Sequence, residues 1–317
     1  MDTFSIQDIQ EMLEEFDMCQ NSHSEVGQYT SIKALHKIIE GIDVEKKSLV
    51  LWATDARFSN DETELKEGYD FVLNIISKFD ECLDSRIPAV YKLSNFEETM
   101  KHSENYSRIS PCDIFKWFYD GVRTPFIMSF SKHIDKVRMW NTEYGHFGEG
   151  VCIVLDFSKM IYNNPVIDIN SPFPIVYGNR LGNLPAKNQF IATILKEYVD
   201  YIKKVITEKN IDRIIEQKLQ SLDVLFAFVS SYFKSEKWHY EQEVRMMCTT
   251  KEDNSIILKT DKDKGKMYIE VPIPISCIKK VIFGPRVKND IVERFKTCSH
   301  LLELNPDNIF KSNEPLR

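Results

Sequence analysis

The segment Trp238-His-Tyr-Glu-Gln-Glu-Val-Arg245 constrains this chain more than any other. A long helical pattern precedes it and an apolar run, Val244 to Cys248, follows. If the segment is a strand, Glu241, Glu243 and Arg245 share one face, because strand side chains alternate. Such a group predicts the floor of a polar cleft, where Arg245 holds one carboxylate and the other faces a ligand. The alternative is an exposed strand with an ion-pair ladder, which contributes little stability.

Length and composition predict a protein with a sizeable core. The chain has 317 residues, of which 43% are hydrophobic, enough for one large domain or two modest ones. The net charge of −7 and the pI of about 5.6 do not suggest sequence-independent binding to a phosphate backbone, although a local basic patch remains open.

Cysteine spacing and the N-terminus predict the compartment. The seven cysteines are scattered and contain no C-x-x-C pair, which indicates reduced thiols rather than a disulfide framework. The acidic N-terminus lacks the layout of a signal peptide, and no apolar run is long enough to cross a bilayer. We therefore expect a soluble, cytoplasmic protein without membrane association.

Strand and helix patterns interleave irregularly, which favours an α+β fold over a regular parallel α/β sheet. We expect mixed, mostly antiparallel sheets flanked by helices. Residues 1–25 are predicted to be an N-terminal helical extension, and residues 26–317 a single domain with a helical insertion at about 84–122. Predicted strands include 26–31, 48–53, 125–131, 151–157, 267–271 and 278–283, and predicted helices include 32–40, 136–144 and 289–298.

Several familiar catalytic signatures are missing from the sequence. There is no H-E-x-x-H, no paired-cysteine zinc motif and no nucleophile elbow, so we predict no metal site. The glycines at 145, 148 and 150 precede a predicted strand rather than a helix, so they do not form a phosphate-binding loop. Asp61, Glu64, Glu241 and Glu243 leave a carboxylate-metal nuclease open as a further alternative.

Polar clusters recur instead at the predicted strand ends. In chain order, they are Gln28-Tyr29-Thr30-Ser31, Arg57 with Asn60-Asp61 and Glu64, Ser129-Phe-Ser131, Trp140 with Tyr144, and Glu241-Gln-Glu243 with Arg245. This ordered set resembles the bacterial family called domain of unknown function 2971. The resemblance spans about residues 26–286.

That family in turn resembles, distantly, the ADP-ribosyltransferase fold. The resemblance implies that Glu243 is the catalytic carboxylate, with Glu241 assisting and Ser129 as the middle element. A carboxylate bound to the ribose 2′-hydroxyl favours the oxocarbenium ion that develops as nicotinamide leaves. Position 28 is Gln where several relatives of such folds carry His. The implied NAD-binding residues are Gln28, Tyr29, Thr30, Ser31, Asn60, Asp61, Ser131, Trp140, Tyr144 and Arg245, with Trp140 or Tyr144 stacking on nicotinamide.

The resemblance therefore implies an ADP-ribosyltransferase-like enzyme that consumes NAD. Its expected target is a protein, a nucleic acid or a nucleotide, and its expected setting is a bacterial anti-phage defence system or a toxin effector. A homo-oligomer or a partner protein of the defence system is compatible with this role. The alternative from a different class is a non-catalytic ligand-sensing or interaction module, in which Glu241, Glu243 and Arg245 form an internal ion-pair network.

Overall fold

The structure, a computed structural model, describes residues 25–56, 126–160, 167–169, 172–177, 231–250, 258–261 and 265–315, with residues 68, 77, 80 and 81. The chain divides into two compact units. One comprises residues 1–21, 59–124 and 176–236, and its described part contains a two-stranded parallel sheet, Val176–Tyr177 with Phe233–Lys234. The other comprises residues 22–58, 125–175 and 237–317 and contains the main sheet.

The main sheet has eleven strands among the described residues, and nearly all neighbouring pairs are antiparallel. The α+β prediction with a mixed, mostly antiparallel sheet is therefore confirmed. Numbered along the described chain, the strands are β1 (Val26–Thr30), β2 (Ser48–Asp55), β3 (Phe126–Ser131), β4 (Val151–Leu155), β5 (Ile167–Ile169), β6 (Phe173–Pro174), β7 (Val176–Tyr177), β8 (Phe233–Lys234), β9 (Glu243–Thr250), β10 (Lys259–Asp261), β11 (Lys266–Pro274), β12 (Ile278–Phe283) and β13 (Ile309–Lys311).

The sheet branches at β3. One edge of β3 pairs with β9 along its whole length, from Phe126 opposite Cys248 to Ser131 opposite Glu243. The other edge pairs with β2 where β3 begins and with β1 where β3 ends, at Gly27 opposite Ser131. From β1 the sheet continues through β4, β12 and β13, and from β2 it continues through β11 and β10. The end of β3 is therefore where β1 and β9 approach each other most directly.

Three α-helices are described: α1 (Ile32–Glu40), α2 (Val137–Trp140) and α3 (Asn289–Thr297). The apolar sides of α1 and α3 cover one face of the sheet, where Leu35, Val292 and Phe295 join the main core. A smaller cluster lies on the other face, around Trp140 and Cys152. On α1, apolar residues at helical spacing face the sheet. Because so short a helix is only marginally stable in water by itself, α1 depends on this packing.

The strand β4 is buried on both faces. Val151, Ile153 and Leu155 belong to the main core, and Cys152 and Val154 belong to the smaller cluster. A strand between two neighbours and two packed faces reads as a continuous apolar run, which explains the sequence Val-Cys-Ile-Val-Leu. Cys152 and Cys248 are buried free thiols, as expected for small apolar residues, and burial raises the pKa of each to about 12.

Local sequence signals placed several elements correctly. The helix α1 has the predicted bounds, with the Ser31 hydroxyl accepting from Ala34 N at 3.0 Å and Gly41 at its C-cap. The strand β12 also has its predicted bounds. The predicted 136–144 helix is shorter, since α2 ends at Trp140 and a turn follows. The predicted helical extension at 1–25 and insertion at 84–122 lie outside the described residues.

Membrane-spanning helices were not expected. In the described part of the chain, no helix has the length and apolarity that crossing a bilayer requires.

Gly284 allows a close approach between two turns. It donates its backbone N–H to Gly150 O at 2.9 Å, and Arg286 N donates to Gly148 O at 2.9 Å. A Cβ at position 284 would contact the Gly148 carbonyl group, with its carbon 2.7 Å away. The neighbouring atoms belong to the backbone of Gly148 and Gly150, so they can move little to accommodate a Cβ.

We therefore expect Gly284→Ala to lower the free energy of unfolding by about 1–3 kcal/mol through overpacking. Denaturant unfolding followed by circular dichroism measures this change. The control is Gly41→Ala, whose Cβ would lie 3.3 Å from its nearest neighbour at a φ of −88°. An equal loss in both variants would contradict the explanation by close approach.

Candidate functional site

The candidate site begins at a junction between the end of β3 and the turn before β9. Three hydrogen bonds join residues 131–133 to the successive carbonyls of residues 240–242. Ser131 Oγ donates to Glu241 O at 2.5 Å, and Lys132 N donates to Gln242 O at 2.9 Å. His133 Nδ1 donates to Tyr240 O at 3.0 Å, which assigns the ring proton to Nδ1. These bonds fix the chain on both sides of Glu241.

The turn itself departs from the predicted strand. Residues Glu236–Glu241 form a 3-10 helix, and β9 begins only at Glu243. Between them, Gln242 has a φ of +44°, a conformation that few non-glycine residues adopt. The expectation that Glu241, Glu243 and Arg245 follow one strand alternation is therefore wrong for Glu241. It is wrong because the left-handed residue at 242 interrupts the alternation.

Glu243 and Arg245 form a buried ion pair on β9. Arg245 Nε donates to Glu243 Oε1 at 2.8 Å, and Arg245 Nη2 donates to Glu243 Oε2 at 3.2 Å, so the contact is bidentate. The two side chains are only 4% and 6% exposed. Burial lowers the pKa of the Arg245 guanidinium. The exposed ion-pair ladder is excluded for this pair, and the prediction that Arg245 holds one carboxylate is confirmed.

Glu241 is a second buried carboxylate close to β9 in sequence. Its side chain belongs to a residue that is 4% exposed, at the end of the 3-10 helix. Its backbone carbonyl accepts the Ser131 hydroxyl, so its position is set by β3 rather than by the alternation of β9. Two buried carboxylates flank Gln242, and one of them is held by Arg245.

Tyr29 and Trp140 form the adjoining aromatic part of the site. Their ring centroids lie 4.9 Å apart with an interplanar angle of 76°, an edge-to-face contact. Tyr29 OH donates to His133 O at 2.8 Å, and Trp140 Nε1 donates to Asp135 Oδ1 at 2.9 Å. Burial raises the pKa of Tyr29, so this hydroxyl remains a donor at neutral pH. Tyr29 thus ties β1 to the 131–133 segment.

The sheet brings some of the predicted site residues to one face. Ser129 lies opposite Arg245, and Ser131 lies opposite Glu243, so these four side chains share a face. Tyr29 is on that face as well, because it pairs with Cys152 of the smaller cluster. Ser129 is exposed, whereas Ser131 is buried.

Other predicted residues are placed elsewhere. Gln28 alternates with Tyr29 and lies opposite Ile153 of the main core, so Gln28 and Thr30 point to the α1 side of the sheet. Gln28 Oε1 is buried and has no hydrogen-bond partner among the described residues. Ser31 caps α1. Asn60 and Asp61 lie outside the described residues.

Trp140 and Tyr144 differ in accessibility. Trp140 is completely buried, so it packs against Tyr29 and does not present a free ring face. Tyr144, in the turn that follows α2, is half-buried and is the member of this pair with exposed surface. No three His, Cys, Asp or Glu side chains within the described ranges are grouped as metal ligands.

Sequence reasoning missed His133 and Tyr240 as members of the site. His133 is more than a hundred residues from Tyr240 in the chain, and no local pattern reports a contact over that separation. The neighbourhood of His133, Lys132-His-Ile-Asp-Lys-Val-Arg138, did carry a signal, because it is rich in basic residues. This basic segment is recognisable as part of the site only once the fold places it beside Trp238-His-Tyr240.

The fold and this site define an α+β protein with a buried carboxylate–guanidinium pair at the centre of a branched sheet. The model of the family described as a protein of unknown function, DUF2971, matches residues 139–246. This match supports the resemblance that the ordered polar clusters predicted. The match begins next to Trp140 and ends next to Arg245, so it includes Tyr144, Glu241 and Glu243. Comparison with curated proteins and with solved structures gave no match.

The buried pair predicts unequal effects of single and double substitutions. Glu243→Ala or Arg245→Met alone leaves a buried charge without its counter-ion, and we expect each to cost about 3–5 kcal/mol of folding free energy. The double variant removes both charges and should cost less than the sum of the two.

A double-mutant cycle from denaturant unfolding measures this coupling. The reference is the half-exposed Lys259–Glu270 pair, whose atoms lie 2.6 Å apart and whose coupling should be at most about 1 kcal/mol. Strict additivity at Glu243 and Arg245 would contradict the ion pair.

Proposed function

We propose that this protein is an ADP-ribosyltransferase-like enzyme that uses NAD to modify a macromolecule or nucleotide. The observation that carries the proposal is the adjacency of β1, β3 and β9. These are the three strands on which the resemblance requires a first, a middle and a catalytic element. Gly27, Ser131 and Glu243 lie in line across them. Strands so far apart in the chain become neighbours only through the fold.

In this proposal Glu243 accepts a hydrogen bond from the 2′-hydroxyl of the nicotinamide ribose. That interaction strengthens as positive charge develops on the ribose, so it lowers the barrier to loss of nicotinamide. Arg245 fixes the orientation of the carboxylate through two hydrogen bonds. An acceptor held in place before the reaction does not need to reorganise during it.

The remaining residues of the same face have supporting roles in this proposal. Ser131 and His133 hold the backbone around Glu241, the assisting carboxylate. Ser129 is exposed opposite Arg245 and is available to a ligand hydroxyl. Tyr144 takes the stacking role on nicotinamide, because Trp140 is fully buried under Tyr29. Gln28 and Thr30 have no direct role, since they point to the other face of the sheet.

One observation favours the second candidate, a non-catalytic ligand-sensing or interaction module. The Glu243 side chain is only 6% exposed, and both of its oxygens are engaged by Arg245. A pair in that state also serves as an internal ion-pair network that shapes a binding cleft. The two candidates differ in whether bound NAD is cleaved.

We expect Glu243→Gln to abolish nicotinamide release from NAD, with a loss of about 10²–10³-fold, because the amide cannot stabilise the developing cation. The assay measures free nicotinamide by chromatography, and calorimetry measures NAD binding by both proteins. The variant should still bind NAD, since Gln retains the size and an acceptor oxygen.

The matched control is Glu270→Gln, the same substitution in a half-exposed ion pair with Lys259 on a different strand. It should leave release unchanged. Binding without release by the wild-type protein would favour the binding module. Absence of NAD binding at millimolar concentration would overturn the enzymatic proposal.

A further inference from the structure

Positive charge is concentrated around the junction of residues 131–133 with residues 240–242. Within residues 132–138 and 236–242, Lys132, Lys136, Arg138 and Lys237 are exposed cations, and Glu236 is the one exposed acid. The three junction hydrogen bonds bring these two segments side by side, although they are about a hundred residues apart in sequence. A chain with a net charge of −7 therefore carries a local basic surface. We define this basic surface as Lys132, Lys136, Arg138, Lys237, Trp238 and Tyr240.

The lysines and arginine of the first segment are not neutralised. Lys132, Lys136 and Arg138 form no ion pair with a carboxylate in the described part of the chain, whereas Lys46, Lys259 and Arg294 elsewhere in the same unit each do. Most of the nearby acids are engaged or buried: Asp135 is half-buried and accepts from Trp140, Glu243 is paired with Arg245, and Glu241 is buried. Glu236, which precedes Lys237, is the exposed acid of these segments.

Aromatic rings alternate with these cations. The Arg138 guanidinium lies 4.4 Å from the centre of the Tyr240 ring, and Lys237 Nζ lies 5.5 Å from the centre of the Trp238 ring. The two rings are 6.1 Å apart and inclined by 43°, so they do not cover each other by stacking. Both aromatic residues are half-buried, which leaves part of their surface accessible.

We propose that the basic surface binds single-stranded nucleic acid. The exposed cations Lys132, Lys136 and Arg138, which have no carboxylate partner in the described part of the chain, attract a phosphate backbone, and half-exposed aromatic rings beside them offer stacking to unpaired bases. An acidic peptide would use the cations but would not require the rings. A duplex would present phosphates but would keep its base faces stacked. The single strand is the partner that uses both features.

The surface adjoins the proposed catalytic carboxylates through Tyr240, Glu241 and Gln242. The assignment of the bound strand as the target class of the transfer rests on the proposed function. Binding itself depends only on the basic surface and is measurable without NAD.

The test is fluorescence anisotropy of a labelled mixed-sequence single-stranded oligonucleotide with the full chain at low salt. We expect the triple variant Lys132→Ala, Lys136→Ala, Arg138→Ala to bind at least about tenfold more weakly and to show a shallower salt dependence. Tyr240→Leu should weaken binding by about fivefold or more while leaving the salt slope unchanged. Thermal melting establishes that each variant is folded.

The matched control is the triple variant Lys46→Ala, Lys288→Ala, Arg294→Ala, which removes the same charge from exposed positions outside the basic surface. It should bind within about twofold of the wild type. Equal weakening by both triple variants, or no binding by the wild type, overturns the proposal. Equal affinity for the duplex, or full displacement by NAD or by polyglutamate at matched charge, overturns it as well.

The oligonucleotide-binding and nicotinamide-release measurements separate the proposal of nucleic-acid binding from the proposal of transferase activity. Oligonucleotide binding without nicotinamide release retains the nucleic-acid surface and rejects the transferase. Nicotinamide release without oligonucleotide binding does the reverse.

Discussion

The buried pair between Glu243 and Arg245 sets the requirements for the surrounding structure. Two charges in a dry environment carry a large desolvation cost, which their attraction offsets only when the geometry is good. Positions i and i+2 of a strand provide that geometry, because both side chains leave the same face. The strand itself must therefore be rigid. β9 meets this requirement because β3 occupies one edge while β5 and β6 occupy the other.

The opposite face of β9 supplies the stability that the ion pair does not. Val244, Met246 and Cys248 alternate with the charged residues and belong to the main core. Burying such side chains contributes about 1.5–3 kcal/mol each relative to exposure. One strand thus combines an apolar face that anchors it with a charged face that carries the site. The same division holds on β3, where Phe126, Met128 and Phe130 face the core and Ser129 and Ser131 face the site.

The branch point of the sheet explains why the site lies where it does. β1 pairs with β3 only at Gly27, so β1 diverges from β3 after that residue. The 131–133 segment continues past the end of β3 and meets Tyr29 OH on one side and the 240–242 carbonyls on the other. Branching leaves strand ends with backbone groups that the ladder does not satisfy. Here those groups and the side chains beside them become the framework of the site.

The sequence predicted local elements well and long-range placement poorly. α1 was predictable because Ser31, the apolar spacing and Gly41 all lie within eleven residues, and β4 because both its faces are apolar. The pairing of Arg245 with Glu243 was predictable because it spans two residues of one strand. The orientation of Gln28 toward the α1 side of the sheet was not predictable, since it depends on which face of β1 meets the core. The role of His133 was not predictable either, because its partner Tyr240 is distant in sequence.

The ion pair and a catalytic role for Glu243 are compatible on stereochemical grounds. A carboxylate offers about four lone-pair directions, and a bidentate guanidinium occupies two of them. Arg245 therefore orients the acceptor without exhausting it. Restricted access to the Glu243 carboxylate has opposite consequences for the two candidate functions. For a binding module, a nearly inaccessible carboxylate contributes shape and little recognition. For a transferase, exclusion of water strengthens each electrostatic contact to the developing cation and protects it from hydrolysis. In the proposed transferase, the low exposure of Glu243 is thus a property that catalysis uses.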